Sequence, residues 1–159
     1  MEKELKFAAD CMLGKLARWL RALGFDTHYQ SYYGLGVMDE LVREGRRLLT
    51  RHGERVRRYD NAVLLQGNSI GEQLTELRKS VYLVSDRTNW FSRCLICNTP
   101  LERTREDEAR SNVPEYVFYH YTKRIKFCPS CGRHFWPGTH RRKMSRQLEV
   151  WGFGGDLEF

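Results

Sequence analysis

Apolar positions along the first ninety residues switch between two spacings. Leu5-Lys-Phe-Ala-Ala9 is a short, mostly apolar run of strand type that stops at Asp10. Met12, Leu13, Leu16, Ala17, Leu20 and Leu23 then recur at helical spacing, and Gly24 is placed to end that helix in a left-handed conformation. Residues 25–29 predict a second strand, 32–38 a glycine-containing loop, and Asp39 a cap on a short helix running to Arg43. A third strand is expected at 47–50, a charged helical segment at 53–58 and a fourth strand at 62–66. Ser69, with Glu72 three residues on, forms a capping box that opens a helix through Leu77. Strands alternating with helices predict a parallel α/β sheet.

The pattern changes after residue 80. Residues 81–92 predict a connector, and the strongly charged 104–112 an exposed loop. Tyr116-Val-Phe-Tyr-His-Tyr121 is built of β-forming residues and predicts a strand. The Gly-rich, acidic end from Trp151 is a candidate for disorder. The division expected is an α/β domain over 1–90, a small second module over 91–147 and a tail over 148–159.

Four of the five cysteines define that second module. Cys94-Leu-Ile-Cys97 and Cys128-Pro-Ser-Cys131 are separated by 30 residues, and each pair can set two sulfurs on one tight turn. Two such turns supply the four soft ligands of a tetrahedral Zn²⁺ site. Asn98 and Gly132 follow the second thiol of each pair, and both tolerate the positive φ that the turn requires. Short strands around two such knuckles make a zinc ribbon. Four thiolates leave no open position for water, so the site is structural, and His134 and His140 are not needed as ligands. Cys11 stands apart and suits a small buried apolar position.

Charge adds a partner to this picture. The net charge is +7, and it is concentrated. Lys123, Arg124, Lys126, Arg133, Arg141, Arg142, Lys143 and Arg146 lie in a stretch without an Asp or Glu. Arg43, Arg46, Arg47, Arg51, Arg55, Arg57 and Arg58 form a second cluster against only Glu44 and Glu54. Such patches favour a polyanion: RNA, DNA or an anionic membrane surface. The aromatic residues interleaved at Phe135 and Trp136 favour RNA, although Trp136 also suits core packing. No apolar run is long enough to cross a membrane. Paired CxxC motifs and an amino-terminus without signal-peptide character predict a reducing, cytoplasmic setting.

Asp10 lies where the first strand hands over to a helix, the end of a parallel sheet at which ligands bind. It is equally well placed to cap that helix. Phosphodiester chemistry with Mg²⁺ or Mn²⁺ needs several converging carboxylates, and Asp39 and Glu40 are the candidates to join Asp10. Arg18 and Arg21 either flank the Asp10 crevice or form an exposed polar helix face.

Several motifs occur in a recognisable order: Phe7-Ala-Ala-Asp10-x-Met-Leu-Gly14-Lys-Leu-Ala-Arg18-Trp-Leu-Arg21-x-Leu-Gly24-Phe-Asp26-Thr, Gly45-Arg-x-Leu-Leu-Thr50-Arg51, Glu72-Gln73-Leu, Ser92-Arg93-Cys94-x-x-Cys97-Asn98, Val113-Pro114, and Cys128-Pro-x-Cys131-Gly132-x-x-x-Trp136-x-Gly138-Thr139-His140. Together they resemble the Mut-seven C-terminal RNase family, a PIN-like nuclease domain fused to a zinc ribbon. The resemblance implies a PIN-like three-layer α/β/α domain with a parallel sheet, RNA cleavage with divalent metal, and a ribbon that helps hold substrate. It matches Asp10 to the first metal-binding carboxylate of the family, with Asp39 or Glu40 at the next acidic position. The chain departs from the pattern at His52, where an aspartate ligand is usual, and at Asn68-Ser69, where an acidic pair is expected. Two readings stand side by side: a metal-dependent ribonuclease, or an RNA-binding module with a degenerate metal centre. In either, Arg18, Arg21, Arg51, Arg55, Lys123, Arg124, Lys126, Arg133, Arg141, Arg142 and Lys143 are the candidate RNA contacts, and RNA, tRNA or the ribosome the partner.

Overall fold

The computed structural model describes residues 4–155. The first half runs β1 (Lys6–Ala9), a 3₁₀ turn (Cys11–Leu13), α1 (Gly14–Ala22), β2 (Asp26–Tyr29), α2 (Val37–Arg43), β3 (Arg47–Thr50), α3 (Gly53–Arg58), β4 (Val63–Leu64) and α4 (Ile70–Ser80). The four strands form one parallel sheet in the order β2-β1-β3-β4. Side chains alternate across it as strand geometry demands. Phe7, Ala9 and Leu49 pack with Leu16 and Leu20 of α1 and Leu74 and Leu77 of α4. Ala8 and Leu48 point the other way, onto Met38 and Leu41 of α2. The result is the expected α/β/α sandwich.

Details at the helix ends differ from expectation. Gly36, at φ 80°, precedes α2, so the helix starts two residues before Asp39 and Asp39 sits in its first turn instead of capping it. Ser69 Oγ accepts from Glu72 N at 3.2 Å as the capping box predicts, but the Glu72 carboxylate takes the N–H of Asn68 at 2.8 Å.

The second half contains β5 (Glu102–Arg103), α5 (Glu106–Asn112), α6 (Glu115–Tyr121), β6 (Lys126–Phe127), β7 (His134–Phe135) and α7 (Thr139–Val150). The three strands make an antiparallel ribbon in chain order. The expected strand at 116–121 is helix α6. Pro114 holds the preceding backbone extended, and Val117, Phe118 and Tyr121 then share one helical face over Ala109 and Ile125. Burial at helical spacing has overridden the β propensity of single residues. The expected loop at 104–112 contains α5, whose three acidic residues in the first turn and Arg110 in the last complement its dipole.

The outer segments join the main core. Val81, Leu83, Trp90 and Phe91 of the expected connector are buried with Phe7 and Leu20. So are Met144 and Leu148 of α7 and, beyond it, Phe153. Trp151 meets Trp19 edge to face with ring centroids 4.8 Å apart. Residues 148–155 therefore pack against the sheet domain where a disordered tail was expected; residues 156–159 lie outside the described residues. No described helix is long and apolar enough to cross a membrane.

Candidate metal centre and the Asp10 crevice

The two knuckles share one backbone pattern. Cys94 N donates to Thr99 O and Asn98 N to Cys94 O; in the second, Cys128 N donates to Arg133 O and Gly132 N to Cys128 O. Asn98 (φ 67°) and Gly132 (φ 75°) occupy the left-handed position that closes each turn. Cys97 N lies 3.3 Å from Cys94 Sγ, and Cys131 N 3.5 Å from Cys128 Sγ, so backbone donors face the sulfurs. All four Sγ atoms fall within 4.8 Å of one another, with Cys94 and Cys131 3.8 Å apart. A tetrahedron with metal–sulfur bonds of about 2.3 Å has edges of roughly 3.8 Å, so the cluster fits Zn²⁺ and could hold it. At Cys131, burial raises the thiol pKa, but hydrogen bonds from Arg133 and the neighbouring sulfurs bring it down to about 6. Burial and the other sulfurs push Cys97 up to about 12. A bound divalent cation is what would let four thiolates coexist.

The first knuckle is welded to the sheet. The Asn98 carboxamide accepts from Thr27 N at 2.9 Å and donates to Asp26 Oδ1 at 2.6 Å. Asp26 also takes a two-pronged ion pair from Arg46, at 2.7 and 3.3 Å. Burial opposes the charge of Asp26, but the bonds from Arg46 and Asn98 outweigh it and lower its pKa. Arg21 is turned inward and donates to Thr27 O, Leu95 O and Ile96 O at 2.9–3.0 Å. With Nε and Nη1 committed to these carbonyls and the side chain buried, Arg21 fastens the first knuckle instead of forming an exposed polar face. Arg93 adds bonds to Gly24 O and Asn98 O.

Asp10 lies at the C-terminal end of β1 with no exposed surface. Its Oδ1 accepts from Cys11 N at 2.6 Å, capping the 3₁₀ turn, and its Oδ2 accepts from Thr50 Oγ1 at 2.8 Å. Arg55 Nη1 stands 2.7 Å from the same Oδ2, in ion-pair contact without an aligned hydrogen bond. Burial works against the charge, but the bonds from Thr50 and Cys11 and the field of Arg55 prevail and hold the carboxyl below its ordinary value. Thr50, which the sequence did not single out, accepts from His52 N at 3.0 Å while donating to Asp10, so the end of β3 is tied to the end of β1.

The other expected carboxylates are engaged elsewhere. Asp39 accepts from Tyr59 Oη at 2.5 Å and pairs with Arg58 at 3.3 Å. Glu40 is exposed on α2, and His52 is exposed at the start of α3. Among the described residues, the four cysteines are the one group of three or more His, Cys, Asp or Glu gathered closely enough to share an ion. A catalytic Mg²⁺ or Mn²⁺ needs several carboxylate oxygens facing one point, and Asp10 offers oxygens already taken by Thr50, Cys11 and Arg55. The residues at this crevice do not fit that metal.

The candidate RNA contacts divide by exposure. Arg51 bends back to Gly67 O at 2.5 Å, and Arg55 to Asp10. Arg18, Lys123, Arg124, Arg133, Arg142 and Lys143 are exposed; Lys126 and Arg141 are half-buried. Arg18, Lys126 and Arg141 border a cavity together with Phe135 and Trp136.

No curated protein and no solved structure matched the chain. The family described as Mut7-C RNAse domain matches residues 5–148, a span that includes the parallel sheet, the Asp10 crevice, both thiol pairs and most of α7. With the fold and the paired knuckles as the resemblance implied, and nearly the whole chain covered, the protein belongs to the Mut7-C RNAse domain family.

Proposed function

We propose that the protein binds RNA, with zinc holding its ribbon, and that the Asp10 crevice is a structural remnant of a nuclease centre. Membership of an RNase family supports an RNA-related role. The observation that carries the second part is the network at Asp10: Arg55 supplies the positive charge that a divalent ion would otherwise bring, and Thr50 and Cys11 each donate to one of its oxygens. The exposed cations of α7 and the ribbon then act on phosphates without chemistry. Exposed single-stranded segments of tRNA or ribosomal RNA are the candidate targets, in a reducing cytoplasm that keeps the four thiols available to zinc.

The test is a pair of measurements on the zinc-loaded chain. Affinity for single-stranded RNA, followed against salt, is expected to fall with a log–log slope of about −0.7 per phosphate contacted, or roughly −3 for four contacts. The same RNA incubated with Mn²⁺ or Mg²⁺ is expected to stay intact. Metal-dependent cleavage that disappears in Asp10→Asn would overturn the proposal for the crevice. Absence of salt-sensitive binding would overturn the RNA reading itself.

A further inference from the structure

A cavity of about 240 Å³ opens where α1, the ribbon and α7 meet. Its walls are apolar and partly aromatic: Phe91, Leu95, Leu101, Phe135, Trp136 and Met144. Its remaining side chains include Arg18, Arg93, Lys126, His134, His140 and Arg141, and no Asp or Glu lines it. Among the described residues none of those four Arg and Lys side chains has a carboxylate partner. Arg141 lies over the Phe91 ring at 4.9 Å, and Arg18 Nη2 stands 3.4 Å from His140 Nε2, a contact in which that nitrogen is the acceptor. Arg93 is committed to Gly24 O and Asn98 O, so Arg18, Lys126 and Arg141 are the cations left to draw an anion to the apolar slot.

The chemistry of such a slot is selective. It offers an apolar space with Phe91, Phe135 and Trp136 in its lining and basic side chains around it. An uncharged aliphatic ligand would satisfy the walls but not the rim, and a fatty acid would leave the aromatic faces without a π partner; inorganic phosphate would satisfy the rim but not the walls. A nucleotide satisfies both, because its base has a π face and its phosphates carry the charge.

We infer that this cavity receives one unpaired base of an RNA strand, with the flanking phosphates on Arg18, Lys126 and Arg141. The inference rests on the RNA-binding reading above and names where the strand is held: at the junction of the sheet domain with the ribbon, apart from the Asp10 crevice. The slot involves all three elements that the zinc knuckle and α7 bring together. Its shape therefore depends on the weld through Arg21 and Asn98.

The experiment compares two labelled decamers by fluorescence anisotropy: single-stranded RNA, and a strand of abasic ribose units with the same phosphates. The full, zinc-loaded chain is expected to bind the RNA roughly tenfold more tightly than the abasic strand, the range of one stacked base. Leu101→Trp, which fills the slot, is expected to abolish that preference while leaving abasic binding within about twofold. Thr139→Trp, on an exposed wall of the same slot, serves if the first variant loses zinc or fold. Equal binding of both strands by the parent overturns the pocket but leaves RNA binding intact; binding of neither overturns both. A mononucleotide bound without strand binding, or an acidic peptide bound in preference to RNA, overturns the assignment to a strand.

Discussion

Replacing Asp10 by asparagine keeps the shape of a side chain with no exposed surface and removes its charge. The carboxamide oxygen can still accept from Cys11 N, so the cap of the 3₁₀ turn survives. The amide nitrogen then faces Thr50 Oγ1, whose hydrogen loses its acceptor, and the guanidinium of Arg55. Loss of a hydrogen bond to a buried charged group costs about 1.5–3 kcal/mol. Arg55 is 39% exposed and can turn to solvent, so the ion pair adds no more than about 1 kcal/mol. The expected destabilisation at neutral pH is about 2–3 kcal/mol, a fall in Tm of roughly 4–12 °C for a chain of this size. Urea unfolding followed by tryptophan fluorescence, at fixed zinc, should show a lower midpoint with an unchanged slope. The folded pKa of Asp10 is depressed, so its contribution is fully present above the ordinary value of 3.8 and is lost as pH falls through the folded pKa. Parent and variant should therefore converge in acid. A carboxylate kept for metal binding, crowded by other acids, would behave oppositely, because removing its charge relieves repulsion. A variant as stable as the parent at pH 7, or more stable, refutes the structural reading of Asp10.

Three further outcomes are expected. Phe153→Ala should cost about 3 kcal/mol, since the ring is buried and lies 3.9 Å from the Arg78 guanidinium; an unchanged urea midpoint would mean that the segment beyond α7 does not pack. Asn98→Ala should cost about 2–3 kcal/mol through two lost bonds and a strained positive φ, and Asn98→Gly should recover roughly 1 kcal/mol of that, both read by thermal unfolding. Metal analysis should find one zinc per chain, lost in Cys128→Ser together with the cooperative unfolding of the ribbon.

Most of the architecture could be read from spacing. β1, β3 and β4 carry short apolar runs, and α1 follows its 3.6-residue pattern to Gly24, which does adopt φ 96°. The knuckles were legible because two thiols two residues apart leave few alternatives. What could not be read depended on partners distant in sequence. Helix α6 needed Ala109 and Ile125 to show which of its aromatic residues were inside. Phe153 needed partners some way up the chain, Arg78 and the core that Leu77 and Leu83 share with it. At the candidate site the sequence supplied Asp10 but not its partners: Thr50 stood only within a motif and Arg55 only as a candidate RNA contact, and at 40 and 45 positions away nothing local tied either to Asp10. Arg21 suited a surface cation as well as a crevice residue; the carbonyls of Thr27, Leu95 and Ile96 turn it inward.

The residues through which the chain resembles its family divide into two physical groups, and the division bears on what their presence means. Arg21, Asp26, Cys94, Cys97 and Asn98 form one continuous set of contacts that fastens a metal knuckle to the edge of the sheet. A nuclease and a binding protein need that fastening equally, so these residues carry no information about catalysis. Asp10 belongs to the other group, the one that would be expected to report chemistry. Its presence alone does not report chemistry, because the fold itself uses both of its oxygens: one ends β1 by capping the following turn, and the other holds β1 to β3 through Thr50. Once a carboxylate has such a role, losing the metal leaves only its charge to be neutralised, and one arginine on α3 suffices for that. On the proposed reading, the aspartate serves packing whether or not an ion binds beside it. Position 52 has no such tie through its side chain, and a histidine stands there.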